Sequence, residues 1–114
     1  MLQDHLGETL NEFLDESDFV EDPRQLADIQ QWEHELFDRI WYQRSLNHIQ
    51  SLERAQDLDG LTRLVEIAGP AMARVEAEYG ETLGPYSDFE WGMLNGKLSA
   101  LRWVLGAEWD FLDT

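Results

Sequence analysis

Asp4, Glu8, Glu12 and Glu16 recur every four residues, the most regular array of reactive groups in the chain. On a helix this spacing puts the four carboxylates on one face, about 6 Å apart along the axis. Like charges so placed weaken a helix by roughly 0.3 kcal/mol per pair. A linear row of carboxylates can imitate a DNA phosphate backbone and occupy the basic groove of a nucleic-acid-handling protein. The plain alternative is a solvated helix face.

Two further carboxylate pairs, Glu12 with Asp15 and Glu35 with Asp38, stand three residues apart. Such a pair faces one side of a helix and can hold a divalent cation. All-α nucleotide pyrophosphohydrolases of the MazG type use paired motifs like these. Here the first pair ends in Asp and no phosphate-facing lysine cluster accompanies it. Among 24 acidic residues, chance pairs at this spacing are expected. Asp57-x-Asp59-Gly60 is no calcium loop, because Leu61, Thr62 and Ala68 occupy the positions that need an oxygen ligand, Gly and Glu. His5, His34 and His48 lack the spacing of a zinc helix, and the chain has no cysteine. No serine sits in a nucleophile elbow, and no glycine-rich phosphate loop follows a strand. The sequence therefore indicates no catalytic residue, no metal and no cofactor.

Composition sharpens the reading. The 114 residues carry 24 acids against 8 bases, a formal net charge of -16. Such a surface repels nucleic acid and anionic membranes alike. The first 22 residues hold eight acids and no Lys or Arg, so half of the charge lies there. Residues 23–75 are nearly balanced, and the remainder is acidic again. The length suits a single domain, 1–114, with its N-terminal 1–22 as an acidic amphipathic segment. No apolar run can span a bilayer, and the N-terminus lacks the basic and apolar regions of a secretory signal. A cytoplasmic protein is the expectation.

Helical periodicity dominates the chain. Leu6, Leu10, Phe13 and Leu14 share one face of a short N-terminal helix, opposite the acid row. Asp22-Pro23 reads as a cap and first turn. Leu26, Ile29, Leu36, Phe37, Ile40, Leu46, Ile49 and Leu52 then follow the helical period, predicting one long helix over about 23–56, kinked near Ser45–Asn47. Asp57–Gly60 is a turn and cap. Leu61 to Ala68 form a short stripe that Gly69-Pro70 breaks or kinks, and residues 70–79 are helical again. Gly80 to Pro85 is a loop. Ser87 and Glu90 have capping-box spacing, and a last helix runs over about 88–105, with Gly106 as its C-terminal glycine. The fold class is all-α, a small bundle of three to five helices.

The C-terminal third carries the other candidate contact residues. Gly92 and Gly96, followed by Ala100, make a smooth groove that should receive another helix or a Trp ring. Five Trp and five Phe are generous for this length. Trp91, Trp103 and Trp109, with Leu112, should be buried on this chain, against a protein partner, or in a homodimer.

The run from Trp91 to Thr114, with Gly96-Lys97-Leu98-Ser99-Ala100-Leu101-Arg102-Trp103-Val104-Leu105-Gly106 at its centre, resembles the ending of short uncharacterised proteins of tailed phages and bacteria. The resemblance covers about the last fifth of the chain. It implies a phage or prophage origin and carries no activity or site residue. Together these readings describe a small acidic protein-binding module. Its sharpest form is a phage-encoded inhibitor or modulator of a host basic or nucleic-acid-handling protein. The alternatives are a self-assembling helical protein and, further off, a metal-dependent nucleotide pyrophosphohydrolase.

Overall fold

The longest apolar pattern becomes a helix of 29 residues, α1, Leu26–Arg54. The computed structural model describes residues 22–109. The acid row Asp4, Glu8, Glu12 and Glu16, its apolar partners, and Leu112 lie outside the described residues. α1 begins three residues later than the Asp22-Pro23 signal suggests. Gln25 stands at its N-cap position without a side-chain cap bond. It also runs unbroken through Ser45–Asn47, where Ser45 is buried and continues the periodic pattern.

α1 has two buried faces. At ~100° per residue, Leu36 and Ile40 point roughly opposite to Asp38, Ser45 and Ile49. The first face packs on Leu98, Trp91, Leu94 and Leu101 of α3, Asp88–Val104. The second takes α2, Leu58–Tyr79, through Tyr42, Ala68, Met72 and Val75, with Leu46, Ile49, Leu64 and Tyr79 at the margins. Both α2 and α3 pack on α1, and among the described residues they do not pack on each other. The described residues form an all-α bundle of three helices with α1 as its spine. No helix among the described residues is long and apolar enough to cross a membrane.

Gly69-Pro70 does not divide α2, contrary to the sequence expectation. Pro70 removes the amide that would bond Glu66, and its ring is exposed. Ala68, Met72 and Val75 on either side are buried against α1, so tertiary packing carries the helix through. Past Tyr79 the chain takes a short 3₁₀ turn, Gly80–Thr82. Leu26 and Phe37 follow the helical period yet are 61% and 42% exposed, because they lie to one side of the strip that α3 covers, where only Arg102 reaches over Phe37.

The helix ends obey local chemistry. Asp57 caps α2 by accepting from the Gly60 amide at 2.9 Å. Ser87 and Glu90 form the expected capping box, at 3.1 and 2.9 Å. The Ser87 amide and hydroxyl hold the Glu90 carboxyl below the usual carboxylate range. α3 ends in a Schellman motif: the Ala107 amide donates to Arg102 and the Gly106 amide to Trp103, with Gly106 at φ +109°. α1 ends in the same way, with Asp57 donating to Leu52 and Gln56 to Glu53. There the left-handed position is filled by Gln56, at φ +55°. A non-glycine residue in that region costs roughly 1 kcal/mol. Gln56→Gly should therefore raise stability by about 0.5–1 kcal/mol. Thermal and urea unfolding would register the gain, and a lower midpoint would show that Gln56 is not strained.

Candidate functional site

Two places concentrate functional groups. The first is the polar seam between α1 and α2. Asp38 is only 2% exposed, an unusual position for a carboxylate. It accepts from Arg74 at 3.4 and 3.5 Å and from the Tyr79 hydroxyl at 3.3 Å, and His34 Nε2 lies 3.3 Å away. One turn on, the Tyr42 hydroxyl donates to Glu76 at 2.7 Å. Arg39 bonds Glu35 at 3.3 Å and the Thr82 carbonyl at 2.9 Å, and stacks over the Tyr79 ring at 4.6 Å. Glu35 and Asp38, the pair whose spacing suits a cation, are thus each held by a different arginine. Among the described residues no group of three metal-ligating side chains converges. The seam's geometry is that of a structural lock: it fixes the α1–α2 register with paired charges.

The sequence offers Asp38 only as one of a carboxylate pair with Glu35 and does not show its burial. The available signal was Asp38, Tyr42 and Ser45 at helical spacing, a polar stripe opposite Leu36 and Ile40.

The second place is the outer face of α3. Trp91 is half-buried, stacks near Tyr86 at 6.2 Å, and belongs to the α1–α3 core. Among the described residues Gly92 and Gly96 meet no other helix or ring, whereas their spacing suggested that they would. Both are exposed, and a Cβ on either would find nothing within 4 Å. The reason is geometric: Leu94, Leu98 and Leu101 turn toward α1, which points Gly92, Gly96 and Ala100 the other way. Trp103 and Trp109 are not buried on this chain, at 51% and 46% exposed, so the expectation stands only in its partner or homodimer form. They stack on each other instead, 5.6 Å apart, because the turn at Gly106 folds the chain back. Phe89 at 76%, Met93 at 45% and Val104 at 55% complete an exposed apolar surface. Each glycine costs about 1 kcal/mol against alanine in an open helix position, and nothing within the described chain accounts for that cost.

Compared with known proteins, the chain matches no family model, no curated protein and no solved structure.

The polar seam makes two predictions. Arg74→Met leaves the buried Asp38 carboxylate without its guanidinium partner and should lower the unfolding midpoint in urea. The double variant Asp38→Leu/Arg74→Met should recover much of that loss. Equal destabilisation of single and double variants in urea would show that the pair is not coupled.

The second concerns alkaline pH. Burial, aided by Glu76, pushes the Tyr42 hydroxyl up to about 12. Burial and the Asp38 charge push Tyr79 up to about 12 as well. The unfolded chain releases these protons near pH 10, whereas the folded chain keeps them. Their contribution is therefore complete below about pH 10 and falls as pH rises toward about 12. Tyr42→Phe should flatten part of that fall. Identical slopes for both proteins in unfolding curves across this range would contradict the assignment.

Proposed function

We propose that the chain is a protein-binding module that acts without catalysis, presenting the outward face of α3 to another polypeptide. The observation that carries this reading is that α3 is apolar on both sides. One side is spent on α1, through Leu94, Leu98 and Leu101. The other exposes Phe89, Met93, Trp103 and Val104. An exposed apolar patch of this kind, on the side of a helix away from its own core, marks a contact surface.

Charge supports a division of labour. Asp88–Val104 holds two acids and two bases, so the whole -16 lies elsewhere in the chain. The docking face is neutral, and the acidic remainder steers the module toward a partner with a basic surface. In the sharpest form of the reading that partner is a nucleic-acid-handling protein of a bacterial host. The row Asp4, Glu8, Glu12 and Glu16 then imitates DNA, and the chain is of phage origin. A nucleotide hydrolase is disfavoured by the arginines that occupy Glu35 and Asp38.

The test is capture from bacterial lysate at low and high salt, with three proteins: the native chain, Phe89→Lys, and a variant with the four row carboxylates changed to glutamine. Phe89→Lys should reduce capture at both salt concentrations. The glutamine variant should fold as well or better and lose the component of capture that fades with salt. Capture indifferent to all these changes would refute the reading.

A further inference from the structure

We infer that a trough between the first turns of α1 and the second half of α3 is the seat of this chain's own N-terminal segment, residues 1–21, held there through Leu6, Leu10, Phe13 and Leu14. The trough is a different surface from the one that exposes Phe89, Met93 and Trp103, so the inference goes beyond the binding-module reading.

The trough has a volume of about 650 Å³. Ile29, Trp32, Leu36 and Leu101 give it an apolar lining, and Arg24 and Lys97 stand at its wall. Trp32 is 57% exposed there. The trough continues a face of α1 that is covered further along. Asp28, Glu35, Tyr42 and Ile49 recur every seven residues, a spacing that drifts only about 20° per step around a helix. Tyr42 and Ile49 lie under α2. The bonds from Tyr79 and from the turn behind it reach Asp38 and Arg39. Asp28 and Glu35 belong to the trough. The α2 layer therefore stops where the trough starts. About 14 Å of α1, from Leu26 to Glu35, calls for one more amphipathic element.

Continuity, length and charge select the N-terminal segment. The segment joins the described chain at Asp22, two residues before Arg24, which itself lines the trough. Asp15 to Gln25 leave eleven residues to reverse the chain, more than the roughly 2–8 that usually join antiparallel helices. Leu6 to Leu14 share a helical face about 12 Å long, close to the length of α1 that needs a cover. Charge adds a third match. Arg39, Arg74 and Arg102 each pair with a carboxylate. Arg24 and Lys97 pair with none among the described residues. Of the acids beside them, Glu35 is bonded to Arg39, and Asp28 sits in the first turn of α1, where the amide dipole favours a carboxylate. Residues 1–21 hold seven acids and no Lys or Arg. A partner with a basic surface would instead set cation against cation at Arg24 and Lys97. Seating through the apolar face holds the opposite acid row toward solvent.

Lys97 is the only lysine, so a zero-length carbodiimide can join a carboxylate only to Lys97 or to the terminal amine. The experiment uses dilute full-length protein, as an equal mixture of isotopically light and heavy chains. Peptide mass spectrometry should find Lys97 linked to an acid between positions 4 and 22 of the same chain. Leu10→Asp/Phe13→Asp lies outside the described cores and should keep the helical circular dichroism of the native chain. It should lower the link at least about tenfold, because two apolar side chains lose their burial. Trypsin has no site before Arg24, so release of the segment reports cleavage there alone. The double variant should release it at least about tenfold faster.

No link from Lys97 to positions 4–22 overturns the inference, whether Lys97 then joins Asp28, Glu35 or nothing. Links that join light to heavy chains also overturn it, and make the occupant the same segment of a second copy. A link and a cleavage rate that ignore Leu10→Asp/Phe13→Asp overturn seating through the apolar face. Capture from lysate by Phe89→Lys reads the other surface, so the two readings fail separately.

Discussion

α1 is asked to bury two faces that point in opposite directions, and the rest of the architecture depends on that demand. One face needs an apolar cover for Leu36 and Ile40; the other needs a cover that also neutralises Asp38. A single neighbouring helix cannot reach both. α3 takes the first and α2 the second, and the two covers sit too far apart to touch. The bundle therefore has two small cores in place of one, separated by the backbone of α1. Both cores are thin: among the described residues Val75, in the α1–α2 core, is the one apolar side chain with essentially no exposure.

The two seams are held by different physics. The α1–α3 seam is mostly apolar, fastened at its edge where Arg102 bonds Glu33 at 3.1 Å and leans over Phe37 at 5.5 Å. Such contacts tolerate small shifts, because burial is non-directional. The α1–α2 seam carries directional bonds from Arg74, Tyr79 and Tyr42 to carboxylates. Buried charges add little net stability, but a wrong register leaves them unpaired, and that is costly. In this protein the polar seam fixes which turn of α2 meets which turn of α1. It also absorbs Pro70, since the helix on both sides of the proline is anchored.

A three-helix layer with the spine in the middle leaves the outer faces of its covers unshielded. For α2 that outer face is mixed, with Ile67 80% exposed among charged neighbours. For α3 it is neutral and continuous, from Phe89 through Gly96 to Trp103. The Trp103–Trp109 stack reduces the exposed aromatic area within the chain but leaves each ring about half open. An exposed surface of this type on an otherwise highly charged molecule is where association is energetically cheapest, because no salt bridge has to be desolvated.

The sequence by itself determined the helices and their ends. Periodicity located α1 and α3 within a few residues and α2 as two stretches parted at Gly69-Pro70, and the capping box at Ser87, the cap at Asp57 and the turn at Gly106 followed from local hydrogen-bonding chemistry. These features depend on residues within one or two turns of each other, so the chain order contains them. The direction of each face was a different matter. Periodicity shows that Leu98 and Gly96 lie on opposite sides of α3, but not which side meets α1. Nor does it reveal that Asp38 lies under Arg74, a residue 36 positions away. The glycines looked like a packing groove, and Trp103 and Trp109 like residues buried on this chain or against a partner, because small and aromatic residues usually are. Only the tertiary structure decided that α1 uses the leucine face of α3 and turns the glycine and tryptophan face outward. Leucines offer α1 more apolar area to bury than glycines do, and burial energy scales with that area.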